Sequence, residues 1–198
     1  MKPDETSFSV SSVTKCDMER SVEARVNNVK AHLVLKNEGK LKLQEILNKK
    51  EVKTYGNYKV LRDVHTYIIF PSNGFVNITG IKSLQDLPFR VIELFCSTFS
   101  VSKEEIGELV VDNITAVGNF NRRVNLEKLQ QVANVKSAHR SYFTVHFDRH
   151  IFPGAFCKTF GFGTLSVYAS GKYVVVGAKC QDLVQKLVEK VFALIKTL

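Results

Sequence analysis

The chain has 198 residues, of which 44% are hydrophobic and 24% are charged, a composition typical of a globular protein with an ordinary core. No apolar run approaches the roughly 20 residues that a membrane-spanning helix needs, and the polar N-terminal residues do not resemble a secretory signal. Lys and Arg total 28 against 19 Asp and Glu, and the resulting net charge of +9 allows a polyanionic partner without identifying one.

The first half of the chain predicts strands and helices in a definite order. Residues 1–23 are polar and predict an N-terminal tail. A β-rich run, ARVNNVKAHLVL (24–35), leads to an amphipathic stretch whose apolar residues are Leu41, Leu43, Ile46 and Leu47. The segment HTYIIFPSNGFVNITGIK (65–82) then predicts a hairpin, because Asn73 and Gly74 tolerate the positive φ of a tight turn. A second helix is expected after it.

The same order of elements returns in the second half. ELVVDNITAVGNF (108–120) carries Asn113 where the first run carries Asn28. An amphipathic stretch, a hairpin (163–179) with the turn Ser170-Gly171, and a C-terminal helix with a wide apolar stripe follow. The chain is therefore predicted to be a duplication, with repeats at 24–104 and 105–198.

Two β-rich units with two helices each predict an α+β fold, in which one continuous antiparallel sheet carries its helices on one face. The other face would be open, which antiparallel sheets permit, and a bound partner would explain it. Asn113 lies 85 residues after Asn28, whereas Gly177 lies 97 after Gly80. The second unit thus has about 12 extra residues, which we expect around 137–150.

Motifs for catalysis and metal binding are weak. His146, Asp148 and His150 lie close together, but their surroundings are β-rich, which favours solvent-facing strand residues over metal ligands. Cys157 has no His or Asn partner at a recognised spacing, and the absence of CxxC predicts reduced thiols in an intracellular protein. Gly161 favours a turn over a phosphate-binding loop. The sequence therefore predicts no enzyme, no metal and no cofactor.

Taken together, ELVVDNITAVGNF, IFPGAFCK (151–158), LSVYASGKYVVVGAK (165–179) and the C-terminal helix resemble the second repeat of the TATA-box-binding protein family. The first unit resembles this family less closely, through VNNV, IIFPSNG and ITGIK. The resemblance covers about residues 24–198. It implies a pseudo-symmetric saddle, with helices on the convex face and a concave sheet that sits on the DNA minor groove.

The resemblance also implies aromatic wedges that enter base steps at both ends of the DNA site. Phe152 and Tyr168 correspond to one wedge pair, and Phe70 corresponds to one member of the other. The alignment permits Tyr55 or Tyr58 as the partner of Phe70, and Tyr55 is favoured.

Other positions correspond to residues that touch bases and phosphates. Asn28 and Asn113 match the amides that bond base acceptors, and an amide suits the minor groove because A·T pairs show only acceptors there. Thr79 matches a threonine beside one amide, whereas Val176 stands where the family usually has threonine. The basic positions that match phosphate contacts are Lys82, Lys158, Lys172 and Lys179.

The function implied by the resemblance is that of a general transcription initiation factor that binds and bends A·T-rich promoter DNA. Its expected partners are this duplex and basal transcription factors or RNA polymerase subunits, with no membrane, and dimerisation of the DNA-free protein stays open. The divergence suits a paralogue, a protist protein or a viral one, so the expected location is the nucleus, a viral factory or a virion. Val176 and the altered first repeat leave an alternative: a protein-interaction scaffold that has lost duplex binding.

Overall fold

One antiparallel sheet runs through the part of the chain that this computed structural model describes, residues 22–137 and 143–198. Its strands are β1 Arg25–Leu35, β2 Lys53–Tyr55, β3 Tyr58–Arg62, β4 Thr66–Phe70, β5 Phe75–Ile81, β6 Ile106–Asn119, β7 Phe143–His146, β8 Gly154–Thr159, β9 Gly163–Tyr168 and β10 Lys172–Ala178. Their order across the sheet is β2-β3-β4-β5-β1-β6-β10-β9-β8-β7. The sheet therefore has a first half, β1–β5, and a second half, β6–β10, which meet where β1 pairs with β6.

Helices pack on one face of this sheet. They are α1 Asn37–Lys49, α2 Ile92–Phe99, α3 Leu126–Ser137 and α4 Gln181–Ile195. A π-helical turn with Pro88 near its start leads into α2, and a short 3-10 turn precedes β6. In the described ranges, no helix combines the length and the apolar character that crossing a bilayer requires.

The core lies between the helices and the sheet, because alternate strand residues point to opposite faces. In β4, for example, Tyr67 and Ile69 are fully buried, while the alternate residues Thr66, Ile68 and Phe70 are only partly covered. In α4 the apolar stripe buries Val184, Leu187, Val188, Val191 and Ile195. The predicted α+β architecture with helices on one face is confirmed.

The apolar stripe predicted for α1 includes one residue, Leu41, that does not lie on the buried face. Leu43 and Leu47 are buried, but Leu41 is 63% exposed. Residues 43 and 47 are four apart and share a helix face, whereas residue 41 lies about 200° around the helix from residue 43.

The duplication is visible in equivalent backbone hydrogen bonds. Leu35 N–H donates to the Gly74 carbonyl at 3.0 Å, and Phe120 N–H donates to the Gly171 carbonyl at 2.9 Å. Gly74 and Gly171 have φ of 70° and 86°, so both hairpin turns adopt the backbone conformation that their sequences predict.

The sequence count suggests that the extra residues of the second repeat lie around 137–150. The structure shows that they are not confined to this segment. The β2–β3 turn consists of residues 56–57, whereas β7 and β8 are joined by residues 147–153. Residues 120–125 separate β6 from α3, whereas Lys36 alone separates β1 from α1. Counting residues between matched motifs gives only the total number of extra residues. The strand pairing is needed to show which loops contain them.

Candidate functional site

The face of the sheet opposite the helices, called here the helix-free face, gathers most of the predicted site residues. Asn28 and Asn113 lie near its centre on β1 and β6, and Thr79 and Val176 lie beside them on β5 and β10. Phe70 and Tyr168 end β4 and β9, at the hairpin turns of the two halves.

At the centre, the two asparagines occupy equivalent positions about the β1–β6 pair. Val29 pairs with Ile114, so Asn28 lies opposite Thr115 and Asn113 lies opposite Lys30. Asn28 Oδ1 accepts a hydrogen bond from Gly80 N–H at 2.9 Å, and Asn113 Oδ1 accepts one from Gly177 N–H at 2.5 Å. Because a backbone N–H can only donate, each amide oxygen must face its glycine, and each NH₂ group remains to donate elsewhere.

The neighbours of the two amides differ between the halves. Asn28 Nδ2 lies 3.4 Å from Thr79 Oγ1, as the resemblance implies. The counterpart of Thr79 is Val176, which is 40% exposed and has no hydroxyl. Asn113 Nδ2 instead lies 3.5 Å from Thr115 Oγ1 on its own strand. Thr115 was not among the predicted residues, although its position two residues after Asn113 on a strand already places it on the same face.

At the end of the second half, residues 147–153 form a loop built around Asp148. The Asp148 carbonyl accepts hydrogen bonds from Ile151 N–H at 3.1 Å and Phe152 N–H at 3.0 Å, and its Oδ1 accepts one from His150 N–H at 2.9 Å. Arg149 donates to Glu127 on α3 at 2.9 Å. This loop presents Phe152 outside the strand ladder, next to an Ile151 that is 76% exposed.

The Phe152 ring lies over the end of β9. Its centroid is 5.8 Å from that of Tyr168 and 4.6 Å from that of Phe156, on which it stacks. Gly154 makes this possible, since a Cβ there would lie 3.0 Å from the Phe152 ring and 2.9 Å from the Val167 carbonyl oxygen. The structure thus brings the predicted pair Phe152 and Tyr168 into contact.

At the end of the first half, the aromatic residues lie on the strands themselves. Tyr55 and Tyr58 pair directly across the two-residue turn. The Tyr58 ring lies 5.7 Å from Phe70, and Tyr55 stacks on Tyr58 at 5.5 Å. Of the two candidates, Tyr58 is therefore the ring that contacts Phe70, and Tyr55 is the next ring outward.

The predicted phosphate-contacting lysines lie along the rim of this face and past the strand ends. Lys82 Nζ donates to the Asn27 carbonyl at 3.2 Å. Lys158, Lys172 and Lys179 are exposed, and within the described ranges none of these four lysines forms an ion pair. Their charges are therefore available to a polyanion.

Metal binding and thiol catalysis find no support in the described ranges. No group of three His, Cys, Asp or Glu side chains is placed there to hold a metal ion. His146 is an exposed residue of β7, as the β-rich pattern predicts. Cys157 is buried in β8, and burial raises the pKa of its thiol to about 12, which opposes a nucleophilic role.

We expect Cys157 to resist alkylation while the protein is folded. At about pH 8, a thiol with this pKa is ionised to only about one part in ten thousand, and its burial also blocks the reagent. Iodoacetamide labelling followed by peptide mass spectrometry would measure this, with the exposed Cys180 as the internal control. Labelling of native Cys157 as fast as Cys180 would contradict the structure, and unfolding should abolish the difference.

Comparisons with known proteins give three findings. A family model described as transcription factor TFIID (or TATA-binding protein, TBP) matches residues 108–198, the second repeat. The TATA-box-binding protein of Thermoplasma volcanium is 26% identical over 135 residues, which cover 66% of this chain and 69% of that protein. Methanococcus jannaschii TBP superposes with a TM-score of 0.67 at 18% identity, covering 89% of this chain and 99% of that one. This last likeness shows the fold, and with it the predicted saddle is confirmed.

Proposed function

We propose that the chain is a member of the TATA-binding protein family and that it is a transcription initiation factor that binds A·T-rich duplex DNA through the minor groove and bends it. Proteins of this family are DNA-binding transcription factors rather than enzymes. The observation that carries the proposal is the pair of equivalent asparagine amides at the centre of the helix-free face.

The amides support groove reading because their donors are already oriented. Gly80 and Gly177 hold the two amide oxygens, so that the NH₂ groups of Asn28 and Asn113 are the atoms left for a ligand. The minor-groove edge of an A·T pair presents only acceptors, whereas a G·C pair adds a guanine amino donor that would oppose them. The pair therefore favours A·T over G·C at the middle of the site.

The aromatic end of the second half supports bending. A ring that enters between two base pairs needs a flat apolar face at the end of the site, and Phe152 offers one from a loop outside the strand ladder, backed by Tyr168. At the other end, the proposal assigns the wedge to Phe70 together with Tyr58 and Tyr55. Lys82, Lys158, Lys172 and Lys179 would meet phosphates, which makes binding salt-dependent through counterion release.

The helix-covered face is then the side left for basal factors or RNA polymerase subunits. The protein would work where promoters are transcribed, in a nucleus or in a viral factory.

Bending of a short duplex with a dye at each end tests the proposal. We expect energy transfer between the dyes to rise when the protein binds an A·T-rich duplex, and to change little with a G·C-rich one. Phe152→Ala and Tyr168→Ala should lose most of this rise, because the kink depends on the inserted rings. Raising the salt concentration should weaken binding by every variant.

Phe89→Ala serves as the matched control, since Phe89 is 68% exposed and lies in the turn leading into α2. Equal binding of both duplexes without bending would contradict the proposal. That result would favour the alternative of a protein-interaction scaffold that has lost duplex binding. Val176 and the short β2–β3 turn of residues 56–57 also support this alternative.

A further inference from the structure

We propose that the first half of the helix-free face binds unpaired nucleobases of a single-stranded nucleic acid. This activity goes beyond duplex binding and does not depend on it. It is inferred from a run of aromatic rings, a hollow beside them, and the cations at the edge of that hollow.

The rings form an unbroken run across the first half. Tyr55 stacks on Tyr58, Tyr58 lies against Phe70, and Phe70 lies 6.0 Å from Phe75. The run ends where Phe75 stacks on His32 at 4.8 Å. It therefore crosses five neighbouring strands, from the outer β2 to the central β1.

These rings are reachable from solvent. Tyr55 is 48% exposed, and the other four are partly exposed rather than buried. Every base has a flat π-face, so a row of aromatic side chains can stack bases of any sequence. Paired bases in a duplex already stack on one another and expose a face only where a base step is opened, whereas unpaired bases have faces free for these rings.

Beside the outer rings lies a hollow of about 520 Å³. Tyr55 and Tyr58 form one part of its wall, and the cross-strand pair Val60 and Ile68 forms an apolar part. This volume falls in the range of about 300–1,000 Å³ that is common for sites of small organic groups. A single unstacked base with its sugar would fit against such a wall.

The charges around the hollow suit a phosphate-linked ligand. Lys53 and Arg62 line it, and both are exposed. Arg62 can hold a phosphate with two parallel hydrogen bonds, and Thr66 adds a hydroxyl. Glu51 is the acidic residue at this hollow, which leaves an excess of one positive charge.

The two ends of the sheet differ in a way that fits this role. The second half carries Phe152 on the loop of residues 147–153, outside the strand ladder, where its ring lies against Phe156 and Tyr168. The first half has only Gly56 and Asn57 in the corresponding turn, so Tyr55 and Tyr58 remain on the sheet as a platform. A platform of rings on the sheet can stack unpaired bases directly, in addition to any base step that the same rings wedge open in a duplex.

Fluorescence anisotropy of labelled oligonucleotides would test the inference. The probes are thymidine and uridine single strands of about ten nucleotides, a length within the range of single-strand sites. We expect wild type to bind at least one of them at low salt. Tyr55→Leu and Tyr58→Leu should each weaken that binding about fivefold or more, because one stacked base contributes roughly 1–3 kcal/mol. Tyr55→Phe keeps the ring and should therefore bind like wild type. Tighter binding of the thymidine or of the uridine strand would show whether the ligand is DNA or RNA.

Phe89→Leu, an exposed aromatic outside the site, controls for a general loss of apolar surface. A thermal melt would show whether Tyr58→Leu still folds, and the exposed Tyr55 provides the second variant if it does not. Failure of wild type to bind either strand would overturn the inference, as would unchanged binding by both leucine variants. Duplex bending is measured separately, so loss of one activity can be told apart from loss of the other.

Discussion

Replacing both Asn28 and Asn113 with alanine is expected to weaken binding to an A·T-rich duplex by on the order of several hundredfold. Each change removes an oriented pair of amide donors, and a well-placed base contact contributes about 1–3 kcal/mol to discrimination. The two amides lie on separate strands, and we expect their losses to add approximately. The fold should persist, because Gly80 and Gly177 are at least partly exposed and water can accept from their N–H groups.

Aspartate variants separate groove reading from structural support. Asn113→Asp keeps an oxygen for Gly177 N–H, but it removes the donors and turns a carboxylate toward base acceptors and phosphates. It should therefore bind duplex no better than Asn113→Ala, while its unfolding midpoint stays near that of wild type. Asn48→Ala, on the exposed side of α1, is the matched control. Duplex titrations at fixed salt measure the effect, and wild-type affinity in Asn113→Asp would rule out reading by this amide.

Gly171→Ala is expected to destabilise the fold by about 3 kcal/mol or more, a large part of the roughly 5–15 kcal/mol that holds a typical domain together. Gly171 has a φ of 86°, which alone disfavours alanine. A Cβ there would also lie 2.1 Å from the Arg122 carbonyl oxygen, a backbone atom that cannot move by itself. The same residue closes the β9–β10 turn and ties it to the end of β6, since Gly171 N–H donates to the Tyr168 carbonyl and the Gly171 carbonyl accepts from Phe120 N–H.

Gly161→Ala separates the effect of the positive φ from the effect of the steric clash with Arg122. Gly161 has a similar φ of 80°, but nothing lies within 4 Å of its would-be Cβ, so only the backbone strain of about 1 kcal/mol remains. Urea unfolding of the two variants beside wild type would measure the difference. Equal destabilisation by both substitutions would show that the contact with Arg122 has no energetic consequence. Gly74→Ala should fall between them, because its Cβ would meet only the flexible Lys40 side chain.

Much of the architecture could be predicted from the amino-acid sequence because it depends on local chemistry. Asn28 and Asn113 recur in matching β-rich runs, and this recurrence, together with the repeated order of strands, hairpin and helices, indicated a duplication and an equivalent place in each half. The turns at Gly74 and Gly171 follow from the conformational freedom of glycine, and α4 follows from its apolar period. The resemblance added the roles of the aromatic and basic residues, which periodicity does not contain.

The details of the site depended on contacts between residues far apart in the chain. Tyr55 and Tyr58 flank the same turn, and only the strand register shows that Tyr58 is the one that meets Phe70. Glu105 offers a second example, because this buried carboxylate binds Lys42 at 2.7 Å across more than sixty residues, and that hydrogen bond lowers its pKa.

Sequence alone thus determined the repeat, the alternation that leaves one sheet face without helices, and the position of the two amides on it. The tertiary structure decided how the halves differ. Phe152 lies on a longer loop at one end and a platform of rings lies on the strands at the other, and Thr115 lies beside Asn113 where Val176 has no hydroxyl. The physical reason is that strand alternation and turn formation act over a few residues. Register, loop reach and side-chain contact are set by the packing of the whole sheet.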